Sequence, residues 1–302
     1  MSGRNTLRWF ALRTWLPTAH CRLPAAIFLL PTALCLLPTA AAAEPQRIIS
    51  LAPSVTETIF ALGLGERLVG VSVYCDYPPE AERIERVGTF LTPNVEAIVA
   101  QRPDLIIAVP SPGNQSGVES LRRLGMKVVL VNPNTVVEIE ESIVTIAREL
   151  SHETDGRALV RRIEEGMAAV RARLADAPAR KVLMVVGHTP LIAVGSGTFQ
   201  DELIAMAHGI NVAAQAGGAW PHLSLEFAIA AAPEVIIDTT MGNEEQPGAD
   251  AALEFWRAFP TIPAVKADRV SGYKAYQLLR PGPRLADAFA AIARCVHPER
   301  FK

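Results

Sequence analysis

One helix–strand unit occurs twice in this chain, and each residue of the second copy lies 130 positions after its counterpart in the first. The first copy runs from Asn94 to Ile107 and the second from Ser224 to Ile237. In both, Asn or Ser stands where a helix N-cap is expected, a Glu follows in the first turn, and a Pro ends the helix before a run of Val, Leu and Ile. Because each copy ends in a strand that must be buried, the duplication indicates two α/β halves, each with its own sheet.

Short apolar runs alternate with helical patterns through residues 44–302. Runs of Val, Ile and Leu without polar alternation are typical of parallel strands that are covered on both faces. Such strands are predicted at 47–51, 68–72, 105–109, 127–131, 181–187 and 235–239. After the first of them, Ser54 and Glu57 have the spacing of a capping box, which predicts a helix that stops at Gly63.

A long amphipathic helix is predicted between the two halves. Its apolar residues recur at spacings of three and four, and its other face carries Arg and Glu. These apolar residues are Leu159, Ile163, Met167, Val170 and Leu174. Pro178 ends the pattern. We therefore expect an N-terminal α/β lobe at 44–152, a connecting helix at 153–178 and a C-terminal α/β lobe at 179–302.

Residues 1–43 have the pattern of a secretory signal. Four arginines and no acids precede a short apolar run, and small residues follow this run up to Ala43. The apolar run is shorter than the roughly 20 residues that span a bilayer and contains two prolines, which disfavours a membrane anchor. Leu34 before Cys35 disfavours lipid attachment. We expect cleavage after Ala43, which would release residues 44–302 as a soluble protein outside the inner membrane.

The overall charge is partly that of the signal. The whole chain has 29 basic and 31 acidic residues, a formal net charge of -2, and is 50% hydrophobic. Removing 1–43 removes four arginines and no acids, which leaves 25 basic against 31 acidic residues, a net charge of -6. A globular, mildly acidic protein is therefore expected, neither disordered nor a nucleic-acid binder.

Motifs for catalysis are weak. The chain has no G-x-x-x-x-G-K-[ST] loop, so it is not expected to hydrolyse ATP. Gly195-Ser196-Gly197 lacks the spacing of a nucleophile elbow. His188, His208 and His222 leave a periplasmic metal-dependent hydrolase as the alternative from another class, although their spacings of 20 and 14 match no compact zinc motif. A role without catalysis is favoured.

Several motifs occur in an order that resembles one family. They are RIISLAPSVTE at 47–57, VGVS at 69–72, DYPP at 76–79, VGTF at 87–90, NVEAI at 94–98 and PDLI at 103–106. Residues 46–296 resemble the helical-backbone (class III) substrate-binding proteins of ABC importers for cobalamin, haem and iron siderophores, and the cobalamin binders above all. The resemblance implies two Rossmann-like α/β lobes with parallel sheets, joined by a single long backbone helix, with the ligand cleft between the lobes. It also implies a periplasmic monomer that serves an inner-membrane permease with its ATPase subunits.

The resemblance assigns a docking role to two glutamates. In this family, one glutamate on the surface of each lobe contacts arginines of the permease, and Glu96 and Glu226 match these positions. They are also the equivalent pair in the internal repeat. From the residues alone, each Glu taken singly is explained as an acid that complements a helix dipole, whereas the equivalent pair would suit a partner with two basic patches.

The resemblance also assigns ligand-binding residues. The positions that match cobalamin contacts are Tyr74, Phe90 and Trp220, and a later loop of Tyr276, Gln277, Leu278, Leu279 and Arg280. Flat aromatic side chains suit the broad apolar face of a corrin ring. The corrinoid would be a transported ligand rather than a resident cofactor.

Two other ligands of the same family stay open, because the later loop departs from the pattern of cobalamin binders. Haem-binding relatives use a Tyr as iron ligand, and Tyr74, Tyr77, Tyr273 and Tyr276 are available by residue type. Siderophore binders place arginines in the cleft, where Arg280 or Arg284 would serve.

Two cysteines, Cys75 and Cys295, remain after the signal is removed. An oxidising compartment permits a disulfide, but the sequence does not place their Cα atoms. Whether they are bonded is left open.

Overall fold

The computed structural model describes residues 44–240, 248–274 and 278–302. Its first strands are β1 (Ile48–Ser50), β2 (Leu68–Val71), β3 (Leu105–Ala108) and β4 (Val128–Leu130). They form a parallel sheet in the order β2-β1-β3-β4. The accompanying helices are α1 (Pro53–Ala61), α2 (Val95–Ala100), α3 (Gln115–Arg123) and α4 (Val136–Glu149). We refer to this sheet and its helices as the first lobe.

A second sheet follows in the chain. Its strands are β5 (Arg180–His188), β6 (Leu191–Ala193), β7 (Gly209–Asn211), β8 (His222–Leu223), β9 (Val235–Asp238) and β10 (Val270–Gly272). Their order is β10-β9-β5-β6-β8, with β7 also paired to β5. Its helices are α6 (Phe199–Met206), α7 (Leu225–Ala231), α8 (Gly248–Arg257), α9 (Pro263–Lys266) and α10 (Leu285–Val296). In this second lobe the two predicted strands are present as β5 and β9, which pair in parallel. The sequence does not predict the parallel strands β7 and β10, or β6 and β8, which pair antiparallel.

The predicted connecting helix is present as α5 (Glu153–Arg173), although it ends five residues before Pro178, where the sequence predicts its end. Leu159, Ile163 and Met167 are buried on one face, as the spacing predicts. They belong to a core cluster that also contains Ile139 of α4 and Phe289 of α10. The helix therefore packs on elements of both lobes. None of the helices in the described part of the chain is both long enough and apolar enough to span a bilayer.

The internal repeat is also a repeat of structure. The Asn94 side chain accepts a hydrogen bond from the amide of the third residue of α2, and Ser224 accepts the equivalent bond in α7. The two helices are followed by residues at the same left-handed conformation, Arg102 at φ 47° and Ala232 at φ 48°. Both then lead into fully buried strands, β3 and β9. The lobes are therefore built around equivalent helix–strand units.

The predicted capping box at the start of α1 is wrong. The N-cap is Ala52, the first helical residue is Pro53, and no side chain caps the helix. The Glu57 carboxylate turns instead toward arginines of the second lobe. The predicted stop is confirmed, because Gly63 follows the helix at φ +77°.

Both cysteines are free thiols in the structure. Burial raises the pKa of the Cys75 thiol, which lies near the hydroxyl of Thr56. Burial likewise raises the pKa of Cys295, which lies near the hydroxyl of Tyr273.

Candidate ligand-binding site

The first wall of the candidate site is formed where three parallel strands end. The chain leaves β1 through Ala52 and Pro53, leaves β2 toward Val73 and Tyr74, and leaves β3 at Val109. Carboxyl ends of parallel strands lie at one edge of a sheet, so these loops converge there. The sequence order of the strands thus brings separate segments of the first lobe to one surface.

A cavity of about 500 Å³ lies against this surface. Its lining consists of Ala52, Pro53, Ser54, Val73, Tyr74, Asp76, Phe90, Val109, Leu279, Arg280 and Pro281. The last three residues precede α10 and come from the second lobe, so this cavity lies between the lobes. Its volume is in the range of small-molecule sites, and most of its lining is apolar.

A second cavity of about 360 Å³ adjoins the first. It is lined by Pro133, Asn134, Gly197, Thr198, Phe199, Gln200, Ala219, Trp220, Leu279 and Pro281. Leu279 and Pro281 line both cavities, so the two spaces belong to one cleft with contributions from both lobes. Another cavity of about 500 Å³ involves only residues of the first lobe near α3 and β4.

Three predicted aromatics line this cleft. The side chains of Tyr74 and Trp220 are 49% and 48% exposed, and Phe90 is 36% exposed. The rings of Tyr74 and Phe90 meet edge to face, with centroids 5.7 Å apart. Large aromatic surfaces left open to water in a concave site favour an apolar or flat ligand.

The residues of the later loop do not all line the cleft. Leu279 and Arg280 line the cleft. The side chain of Leu278 is fully buried in the core of the second lobe, so it supports the loop and does not line either cavity. Tyr276 and Gln277 lie outside the described residues.

A charged cluster joins the lobes at the edge of the first cavity. Glu57 is only 3% exposed. Arg284 donates to both of its carboxylate oxygens, Nε to Oε2 and Nη2 to Oε1, each at 2.8 Å. Arg280 donates to Glu57 Oε1 at 3.2 Å and to Asp76 Oδ1 at 2.5 Å. The cluster thus holds two guanidinium groups between two carboxylates.

This cluster also reaches two tyrosines. Arg280 Nη2 donates to the backbone oxygen of Tyr74 at 3.2 Å, and the guanidinium of Arg284 lies 4.1 Å from the ring centre of Tyr77. Burial disfavours the charge of Arg280, but the bonds to Asp76 and Glu57 outweigh that effect and raise its pKa. The guanidinium therefore stays charged while it fixes the loop that carries Tyr74.

Gln200 is a cleft residue that sequence reasoning missed. It lies in α6, is 1% exposed, and neither its amide nitrogen nor its amide oxygen has a hydrogen-bond partner among the described residues. A buried amide without a partner costs about 1–3 kcal/mol. No sequence signal marks this residue, because its burial and its hydrogen bonding depend on which residues become its neighbours when the chain folds.

A Gln200→Leu variant is expected to be more stable than the parent protein, by about 1–3 kcal/mol of unfolding free energy, because it removes the unpaired buried amide without removing much volume. Urea unfolding followed by circular dichroism measures this difference. The matched control is Gln115→Leu, at an exposed position, where a change within about 0.5 kcal/mol is expected. Destabilisation by Gln200→Leu would show that the amide is paired in solution.

The three histidines of the hydrolase alternative do not meet. His188 Nε2 lies 2.6 Å from a buried carboxylate oxygen of Asp238, which also accepts a bond from Trp256 Nε1 at 2.7 Å. His208 contacts the backbone oxygen of Ala177, and His222 is exposed. In the part of the chain that the structure describes, no three His, Cys, Asp or Glu side chains are grouped as a metal site.

The two candidate docking residues occupy equivalent places. Glu96 lies in the first turn of α2 and Glu226 in the first turn of α7, and both are exposed. A backbone hydrogen bond and the Ser224 hydroxyl lower the pKa of Glu226 below its ordinary value. Each lobe therefore presents an acidic group at the start of an equivalent helix.

Two α/β lobes with a cleft between them define a binding protein of the periplasmic type. The sequence profile described as "Periplasmic binding protein" matches residues 48–276, and the chain belongs to this family. A vitamin B12-binding protein of Vibrio cholerae serotype O1 is 32% identical over 248 residues, which make up 82% of this chain and 87% of that protein.

Solved structures of a vitamin B12-binding protein and of a haem-binding protein are also similar to this chain. The crystal structure of the periplasmic vitamin B12 binding protein BtuF of Vibrio cholerae has a TM-score of 0.74 at 29% identity, covering 86% of this chain and 99% of that one. The periplasmic haem-binding protein RhuT from Roseiflexus sp. RS-1, in apo form, has a TM-score of 0.76 at 29% identity, covering 84% of this chain and 99% of that one. The resemblance and the fold class predicted from the sequence are confirmed. The chain is a substrate-binding protein of the periplasm, and its family implies a small-molecule ligand and a membrane permease as partner.

Proposed function

We propose that this protein captures cobalamin or a related corrinoid and delivers it to the permease of an ABC importer. The proposal depends most on the cleft, where Tyr74, Phe90 and Trp220 present open aromatic surface to two adjoining cavities between the lobes. A corrin ring is broad and mostly apolar, so stacking against such side chains covers area that is otherwise exposed to water. The vitamin B12-binding relatives support the same ligand.

The remaining details of the importer belong to the same proposal. Residues 1–43 act as a cleaved signal, and 44–152, 153–178 and 179–302 act as first lobe, connecting helix and second lobe. The protein works as a monomer. It catalyses no reaction of its own, because the permease's ATPase subunits supply the energy for transport. Of the residues matched to ligand contacts, we propose that Tyr74, Phe90, Trp220, Leu279 and Arg280 touch the ligand. Tyr276 and Gln277 keep this role by resemblance alone.

Haem is the second candidate ligand. Tyr74 is an exposed tyrosine in the cleft and is available to an iron centre, and the haem-binding relative supports this alternative. Tyr273 is less suitable, because burial raises the pKa of its hydroxyl above the ordinary value. Tyr77 lies under the guanidinium of Arg284.

Titration of the purified protein with cyanocobalamin, haemin and a ferric siderophore, followed by tryptophan fluorescence, tests the proposal. Trp220 lines the cleft, so an occupied site should quench its emission. We expect saturable binding of cyanocobalamin at micromolar concentration or below. No response to corrinoids in that range would overturn the proposed ligand.

A further inference from the structure

The charged groups of the cleft are already matched to one another. Among the described residues that line the two cavities, Arg280 is the positive side chain and Asp76 the negative one. They form a direct ion pair, with 2.5 Å between Nη1 and Oδ1. The lining of the second cavity contains no charged side chain within the described part of the chain.

The second arginine near the cleft is matched as well. Arg284 and Arg280 share the buried carboxylate of Glu57, at 2.8 Å and 3.2 Å from Oε1. Within the described part of the chain, two positive groups of this cluster thus face two negative groups, and these four formal charges cancel. An arginine whose donors are held by carboxylates of its own protein has less to offer an anionic ligand.

We propose that Asp76 and Glu57 determine ligand specificity: by pairing with Arg280 and Arg284 they make the cleft electrically neutral, so that it selects uncharged metal chelates over anionic ones. This inference rests on the proposed function and narrows its ligand class. A neutral corrinoid with amide arms fits such a cleft. Haem with its two propionates, or an anionic ferric siderophore, would have to compete with Asp76 and Glu57 for the guanidinium groups. Asp76 and Glu57 would thus reject an anionic ligand, because they already pair with the guanidinium groups that this ligand would need.

An Asp76→Asn variant separates this role from folding, because Asp76 is exposed whereas Glu57 is buried. The substitution keeps the side-chain shape and removes one negative charge beside Arg280. The measurement is the ratio of dissociation constants for haemin and for cyanocobalamin, in the parent protein and in the variant. The parent should prefer cyanocobalamin, and the variant should shift the ratio toward haemin by on the order of tenfold.

Asp176→Asn is the matched control, since it makes the same change of charge at an exposed position that lines neither cavity. It should leave the ratio within a factor of two of the parent. A ratio unchanged by Asp76→Asn, or a parent protein that prefers haemin, would overturn the inference. A parent protein that binds no chelate would instead overturn the proposed function, so the two failures are distinguishable.

Discussion

Replacing Glu57 by Ala is expected to lower the free energy of unfolding by about 3–5 kcal/mol, the usual cost of removing one partner from a buried ion pair. Glu57 is 3% exposed, and its carboxylate accepts three hydrogen bonds from Arg280 and Arg284. Without it, two guanidinium groups remain partly buried near each other. The lost ion pairs also join α1 of the first lobe to the segment before α10 in the second lobe, so thermal unfolding of the purified protein should occur at a clearly lower temperature.

The control for this prediction is Glu96→Ala, which removes an exposed carboxylate from a helix of the same lobe. It should change the unfolding free energy by no more than about 1 kcal/mol. If Glu57→Ala were no more destabilising than this control, the ion pairs between Glu57 and the two arginines would not persist in solution. Urea unfolding of both variants under identical conditions gives the comparison.

The sequence predicted the fold well where local pattern determines structure. The buried strands β1, β3 and β9 lie within predicted apolar runs, and α5 buries the predicted stripe. Strands covered on both faces need continuous apolar residues, and a long helix needs a period near 3.6, so both leave strong signals. The duplicated unit then indicated two lobes.

The antiparallel strands of the second lobe could not be predicted in the same way. Leu191–Ala193 and His222–Leu223 contain only three and two residues. Such short strands show no periodicity, and what places them is pairing with β5 and with each other. Pairing of this kind depends on the folded lobe rather than on the local sequence.

The charged cluster of the cleft was missed for a related reason. Glu57 and Arg284 are separated by 227 positions in the chain, so no spacing rule connects them. Locally, Glu57 three residues after Ser54 has an ordinary interpretation as half of a capping box, and that interpretation is wrong. In contrast, Tyr74, Phe90 and Trp220 were found because their positions match those of a known family, and the structure places all three in the cleft.

Loss of both Glu96 and Glu226 is expected to abolish most permease-dependent uptake while ligand binding is retained. Their carboxylates are exposed, lie on equivalent helices of the two lobes, and line neither cavity of the cleft. Removing them should therefore leave the dissociation constant for cyanocobalamin within a factor of about two. The measurement is uptake of labelled cyanocobalamin by cells in which the variant replaces the native protein.

The two single variants make the prediction sharper, because a two-point contact fixes orientation as well as affinity. If each carboxylate meets an arginine of the permease, one contact still holds the protein in place but allows it to tilt, whereas losing both removes the charged contact on each lobe. We expect docking to weaken by on the order of tenfold for Glu96→Ala or Glu226→Ala, and by on the order of 100-fold for the double variant.

Glu82→Ala with Glu119→Ala removes the same charge from other exposed positions and should leave uptake unchanged, since neither residue belongs to the repeated unit. Equal losses in this control would mean that total charge, not the position of Glu96 and Glu226, attracts the permease, and undiminished uptake by the double variant would exclude the docking role.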